Sequence, residues 1–411
     1  MKKLLITILT CITLIAYSNP KLDKPSVYLD CGYGCDLNFI KKEVSFVDFY
    51  IDPNSVNVHI LISSETTGNG GKQVTFRFVG KEDFNGITNV LTTLLPPDVS
   101  LDSKRRTYVE TIQKGLYPYV LQTSESKNVK LNYLKKDTTL TKKEIDKDKW
   151  DSWVFRMGAN GYMNGEEGYS YKSYSGRLTA NRITEKSKFT SSLSLSNSVT
   201  EYDYDDYSFT SERKSLNIGS VYVLSLNKKF SVGVKSNFIE STYSNLDYGF
   251  EVAPCVEYNF YPYSESSEHR FSILYGISTT FNDYTDTTIY LKTKEIYPSQ
   301  VVDISYVNYQ SWGSIDLGVS GKQIIDFDDM KKYNIGLWGG VDLNIAKGLS
   351  LNLYMSMDFD RAQIELPGGG ATYEETILRQ RELESSYFFY TSFGISYTFG
   401  SMKNNIVNTR F

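Results

Sequence analysis

Histidine is nearly absent from this chain, with His59 and His269 the only two in 411 residues. General acid–base chemistry built on imidazole therefore has little to draw on. Proline is scarce at 10 residues and cysteine at 4. No cluster of Cys and His has the spacing of a metal centre, and no metal or cofactor site is expected. Long apolar runs are missing too. The longest covers Leu4 to Ile15, too short to span a bilayer as a helix. No basic stripe with interleaved aromatics occurs, so nucleic acid is not an expected partner. Net charge is -4 with acids and bases interspersed.

What the chain has in excess is tyrosine and phenylalanine, 33 and 22 residues. A soluble β-sandwich favours these residues. So does a transmembrane β-barrel, which sets them in girdles at both membrane interfaces. The mean hydropathy of -0.34 does not separate the two, because a barrel alternates apolar and polar positions.

Residues 1–18 read as a secretory signal: Lys2 and Lys3, an apolar stretch, then Ala16-Tyr17-Ser18 as a small-x-small cleavage site. Cys11 echoes a lipoprotein box, but the apolar run continues past it and cleavage after Ser18 is favoured. Export implies an oxidising compartment, where Cys31 and Cys35 in Cys-Gly-Tyr-Gly-Cys suggest a short-loop disulfide. Cys255 is left single and reads as a small packing residue.

Two regions differ in rhythm. Residues 26–134 read as a small α+β domain. Short alternating strands include Val58-Ile60-Ile62 and Val74-Phe76-Phe78, joined by the turn-rich Gly68-Asn69-Gly70-Gly71. One helix is expected after Asp36 as cap, and a second over residues 101–116, ending near Gly115. A further strand is expected at 129–134. Residues 135–149, rich in lysine, read as a linker.

From Trp150 the period is two and holds to the end. About twelve alternating segments can be counted over residues 150–411. In the last, Phe389, Phe393, Ile395, Tyr397 and Phe399 share one face, and Ser392, Gly394, Ser396 and Thr398 the other. A sandwich would expose a charged face, whereas Ser, Gly, Asn and Thr suit the lumen of a narrow barrel. Connections alternate short and long, with long ones expected at 166–171, 202–211, 284–299, 327–332 and 365–386. Twelve strands put both ends on the periplasmic side. The fold class is thus mainly β: an antiparallel transmembrane barrel of about 12 strands behind a small α+β domain.

Several stretches carry a family resemblance. They are Leu29-Asp30-Cys31, Val58-His59-Ile60-Leu61, Gly115-Leu116, Lys347-Gly348-Leu349-Ser350, and Tyr397-Thr398-Phe399-Gly400-Ser401 with terminal Arg410-Phe411. Together they resemble an uncharacterised family of Gram-negative outer-membrane β-barrel proteins with an N-terminal periplasmic α+β domain. The resemblance implies a location in the cell outer membrane, outer-membrane lipid around the barrel, and recognition of the last strand by the outer-membrane insertion machinery. It implies no activity.

Candidate functional residues follow from the barrel. Outer-membrane phospholipases need Ser with His, and omptin-type proteases Asp with His. His269 falls at the opposite end from the outer rim, so no catalytic residue is proposed and an enzyme is not expected. The predicted lumen carries Arg156, Arg177, Lys235, Glu251, Glu257, Asp303, Asp316, Lys322, Asp342 and Asp358. An acid-rich lumen would favour cations. Opposite charges facing each other would instead form an internal salt-bridge plug, with Arg156 and Arg177 as bridging partners. The loop at 365–386 would cap the pore, enter it, or lie flat outside. Two functions stand open. One is a pore, channel or transport-related barrel with an accessory domain. The other is a membrane-anchored assembly or docking protein whose periplasmic domain holds a protein partner.

Overall fold

The computed structural model describes residues 22–400, with Lys403 and Asn405, except 32–33, 69, 130–149, 205–206, 267, 327–329 and 371–380. The signal, the linker, all but Val129 of the strand expected at 129–134, and the terminal Arg410-Phe411 lie outside the described residues.

The N-terminal region is a five-stranded sheet in the order β2-β1-β3-β4-β5. Its strands are β1 (Ser26–Asp30), β2 (Asp48–Phe49), β3 (Val58–Thr66), β4 (Lys72–Gly80) and β5 (Thr88–Leu95). One face packs on α2 (Leu101–Val120), while α1 (Leu37–Glu43) closes the end. Asp36 caps α1 by accepting from the Phe39 amide, and Ser100 caps α2 by accepting from Ser103 at 3.1 Å. Along α2, Tyr108, Ile112, Leu116 and Tyr119 form one stripe and bury against Val58, Ile60, Val74, Phe76 and Phe78. Buried Tyr119 donates its hydroxyl to the Phe78 carbonyl at 2.9 Å. The helix runs past Gly115 instead of ending there. A Cβ on Gly115 would fall inside the Phe78 ring, so this glycine permits a close approach. It does not terminate the helix.

The second region is a twelve-stranded antiparallel sheet, β6 to β17, in which every strand pairs with its neighbours in chain order. It opens with β6 (Trp153–Glu166) and β7 (Tyr169–Ile183), and closes with β16 (Leu349–Asp360) and β17 (Tyr387–Tyr397). Two-residue alternation sorts the side chains by face. Phe155, Leu178, Leu195, Tyr222, Val234, Phe250, Tyr275, Ile277, Leu317, Leu353, Phe389 and Phe393 are exposed on one side, an apolar belt that a soluble monomer would not leave uncovered.

The polar face is concave. Lys235 on β10 (Phe230–Ser241) meets Asp303 on β13 (Lys294–Gln310) at 2.7 Å. Lys322 on β14 (Gly313–Ile324) meets Glu251 on β11 (Leu246–Asn259) at 2.9 Å. Each pair spans three strand spacings, ~14 Å in a flat sheet, so the sheet must curl to bring them together. Among the described residues β6 and β17 pair only with β7 and β16. Both outer strands are exposed along nearly their whole length.

Three connections expected to be long are shorter. Only Glu167 and Gly168 separate β6 from β7, and only two residues separate β8 (Ser187–Tyr204) from β9 (Tyr207–Ser225). The connection between β12 (His269–Tyr284) and β13 is confined to residues 285–293. The strands continue into the expected loops, and at 18 and 19 residues β8 and β9 exceed the ~9–11 that cross a bilayer.

Candidate functional site: a polar lumen covered at both ends

The lumen wall is built from the inward residues of β7 to β14. A space of about 490 Å³ lies against Thr179, Asn181, Asn237, Glu251, Lys235 and Lys322. The two ion pairs sit along this wall and leave the space beside them open. Lys322 also donates to Thr280 at 3.4 Å, and Asn217 donates to Asn237 at 3.0 Å.

The charges expected in the lumen divide into groups. Lys235, Asp303, Glu251 and Lys322 are paired as above. Glu257 accepts from the Tyr263 hydroxyl at 2.8 Å. Asp316 has one carboxylate oxygen shielded and without a hydrogen bond, and Asp342 lines a lower chamber. Asp358 lies opposite Gly336 and Phe388. Arg177 donates to Ser194 at 3.2 Å, and Arg156 lies opposite Thr179 on the first strand. The bridging cations are thus lysines of the middle strands and not Arg156 or Arg177. Those arginines stand on the first two strands of the sheet, and among the described residues neither forms a salt bridge.

At the end of the short turns the N-terminal sheet covers the lumen. Arg77 pairs with Glu268 at 3.2 Å, Ser266 donates to Glu65 at 2.9 Å, and the Gly348 amide donates to Asp52 at 3.4 Å. Between the two regions lies a chamber of about 480 Å³, bounded by Tyr28, Asp30 and Arg77 below and by Tyr309, Asp342 and Asn352 above. The C-terminal tail returns to the N-terminal sheet. Tyr50 forms a β-bridge to Lys403, Lys403 pairs with Asp48 at 2.6 Å, and the Asn405 side chain accepts from the Phe49 amide at 2.6 Å. Behind the chamber floor His59 is fully buried, 3.7 Å from Asp30 and edge-on to Tyr28. Burial lowers the His59 pKa against the opposing pull of Asp30, and burial pushes Tyr28 up to about 12. Cys31 and Cys35 are joined as a disulfide beside this floor, Cα atoms 6.0 Å apart.

At the opposite end, residues 361–369 form a strap that folds inward. Ile364 and Leu366 are buried. The Ile289 amide donates to the Leu366 carbonyl at 2.8 Å, the Gly368 amide to the Thr287 carbonyl at 2.7 Å, and Asn245 to the Glu365 carbonyl at 3.0 Å. The Glu365 carboxylate accepts from Asn282 at 3.1 Å. Burial, reinforced by repulsion from Glu382 and Asp360, raises the Glu365 pKa to about 7, with Asn282 and Lys322 pulling the other way. Sequence reasoning named this loop but missed the residues that dock it. The signal was present in Ile364 and Leu366, two apolar residues alternating in a polar connection just before Pro367. Residues 371–380 of this loop lie outside the described residues.

No family model and no curated protein match this chain. Among solved structures it is similar to the NanC porin, at 11% identity and a TM-score of 0.28, over 59% of this chain and 99% of that one. It is also similar to the translocator domain of the autotransporter NalP from Neisseria meningitidis, at 10% identity and a TM-score of 0.27, over 60% and 88%.

Proposed function

We propose that the chain is an outer-membrane β-barrel that works as a gated pore, with its N-terminal domain in the periplasm and its lumen covered at rest. The carrying observation is the curl: a Ser/Gly/Asn-rich face made concave by ion pairs across three strands, under a continuous apolar belt. Aromatic rings gather where a membrane interface would lie. At the short-turn end Trp153–Phe189, Phe230–Tyr258, Phe260–Phe271 and Phe271–Tyr306 are in ring contact, and Tyr169–Tyr202 and Tyr248–Phe281 meet toward the other end. In hydrocarbon an unpaired strand edge costs several kcal/mol per backbone group, so in a bilayer β6 and β17 pair with each other. The test is planar-bilayer conductance. The intact chain should be silent or flicker, and a barrel lacking both residues 26–128 and the strap should conduct steadily. A folded, silent double deletion would refute the pore.

A second reading is favoured by the N-terminal domain itself. It touches the barrel turns through Arg77–Glu268 and Glu65–Ser266 and leaves Val90 and Leu94 of β5 exposed. On that reading the barrel is an anchor, and the domain holds a protein partner. Pull-downs with and without residues 26–128 test it, and an unchanged set of partners would overturn it.

A further inference from the structure

The two edges of the N-terminal sheet are treated differently. The β2 edge is two residues long and is occupied by this chain's own tail, through the Tyr50–Lys403 bridge and the Asn405 side chain. The β5 edge is eight residues long, pairs only with β4 among the described residues, and reads Thr-Asn-Val-Leu-Thr-Thr-Leu-Leu. It has no charge, proline, glycine or register shift, the devices that normally keep a free edge from pairing with other chains. Its inner side chains, Asn89 and Leu91, face the helix, with Asn89 donating to the Gly115 carbonyl. Its outer side chains at 88, 90, 92 and 94 are exposed, Val90 and Leu94 at 47% and 67%. The C-terminal end of this edge opens into a groove of about 530 Å³. Leu94, Leu95 and Pro96 stand on one side, and Trp150, Trp153 and Ile183 on the other. Trp153 begins β6, itself a free edge among the described residues.

We propose that the β5 edge is a strand-addition site for an extended, uncharged segment of a second polypeptide, whose far end seats in the Leu94–Trp153 groove. The proposal rests on the docking reading above and names the surface that does the docking. Strand addition takes affinity from main-chain hydrogen bonds and selectivity from alternate side chains. The absence of charge on Val90, Thr92 and Leu94 selects a segment that alternates small polar and apolar residues. The other edge already takes a main-chain bridge from Lys403, so pairing at a sheet edge has a precedent within the molecule. Continuity with the groove sets the direction: the bound strand runs from the periplasmic domain toward the barrel edge.

The test places a photoreactive benzophenone side chain at Val90, Thr92 or Leu94 of the full-length protein in cells, with exposed Glu110 on α2 as control. Barrel folding is checked in each case by heat-modifiable migration. The expected result is adducts with another polypeptide at all three edge positions and none at 110. The attachment points in the partner should step by about two residues for each two-residue step along β5, the register of paired strands. Val90→Lys should cut the yield at 92 and 94 by about tenfold. Absence of adducts, equal yield at 110, attachment points without register, or attachment to this chain itself, in cis or from a second copy, would overturn the proposal. If pull-downs still depend on residues 26–128 while the edge gives no adduct, the docking reading survives and the β5 site does not.

Discussion

The strap over the lumen should be loosened by its own carboxylate as the pH rises. Docked, Glu365 sits among Asn282, Glu382, Asp360 and Lys322, and its pKa is raised from an ordinary 4.5 to about 7. Below pH 4.5 the group is neutral whether the strap is docked or free, and docking carries no penalty. Between 4.5 and 7 the free strap ionises while the docked strap stays protonated, so docking weakens by about tenfold per pH unit. Above 7 both forms are ionised and the loss levels off near 3 kcal/mol, or about two orders of magnitude in the docking equilibrium. Opposing it is the burial of Ile364 and Leu366, roughly 1.5–3 kcal/mol each, so the two effects are comparable and the strap is poised. Glu365→Gln keeps the bond to Asn282 in a neutral form and removes the titration. The amides of Ile289 and Gly368 bond to the docked strap and its hairpin partner, so their hydrogen exchange reports docking. The ratio of wild-type to Glu365→Gln exchange at matched pH cancels the intrinsic rate. It should rise about a hundredfold from pH 4.5 to 7.5 and then stay flat. A ratio independent of pH over that window would refute the reasoning.

Other outcomes follow from the fold. Gly115→Ala should destabilise the N-terminal domain by roughly 1–3 kcal/mol, because the methyl meets the Phe78 ring; faster amide exchange in β4 and α2 would show it, and unchanged exchange would contradict the packing. Buried His59 has a lowered pKa, so the stability tied to its neutral form is fully present above pH 6.5 and is lost as the pH falls below that value. His59→Phe should abolish this acid limb of the N-terminal domain's melting curve, and an identical limb in both proteins would assign it elsewhere. In a Cys255→Ser background, Gly158→Cys should cross-link to a cysteine at one of Ser392, Gly394 or Ser396 in membranes, showing the seam closed; failure of all three would mean that β6 and β17 stay apart.

The strand count was readable because one face is small and polar and the other large and apolar over many consecutive pairs, as in Leu351-Asn352-Leu353 or Ile273 to Ile277. That contrast fades where both faces meet water. The upper ends of β8 and β9, with Asp203, Ser208 and Thr210, therefore looked like a loop. Strand β5 was missed for a related reason. Threonines on both faces flatten the alternation, and Pro96-Pro97 reads as a loop boundary. Gly115 looked like a helix end because its role depends on a ring 37 positions away in sequence. The ion pairs were beyond sequence reasoning for the same cause: Lys235 and Asp303 are 68 residues apart, and only the curl of the sheet decides which charges meet.

That curl also separates the two readings of the inner charges. A salt-bridge plug would need pairs crossing the open diameter, whereas both observed pairs join strands only three apart along one wall and leave a cavity beside them. The pairs hold wall curvature, and closure falls to the ends. The lower cover relies on polar contacts at partly exposed sites, Arg77–Glu268 among them, and single pairs of that kind contribute ~0–1 kcal/mol. It stays in place because the chain tethers it at the β6 start and again through the tail at Lys403, which keeps its local concentration high without strong bonding. The upper cover relies on two buried aliphatic side chains set against one reluctant carboxylate. On the gated-pore reading the two closures would answer to different inputs: the upper to protonation, the lower to anything that draws the N-terminal domain away. A strand captured on β5 would pull on that domain beside its tether, which is where a weakly docked cover is most easily displaced.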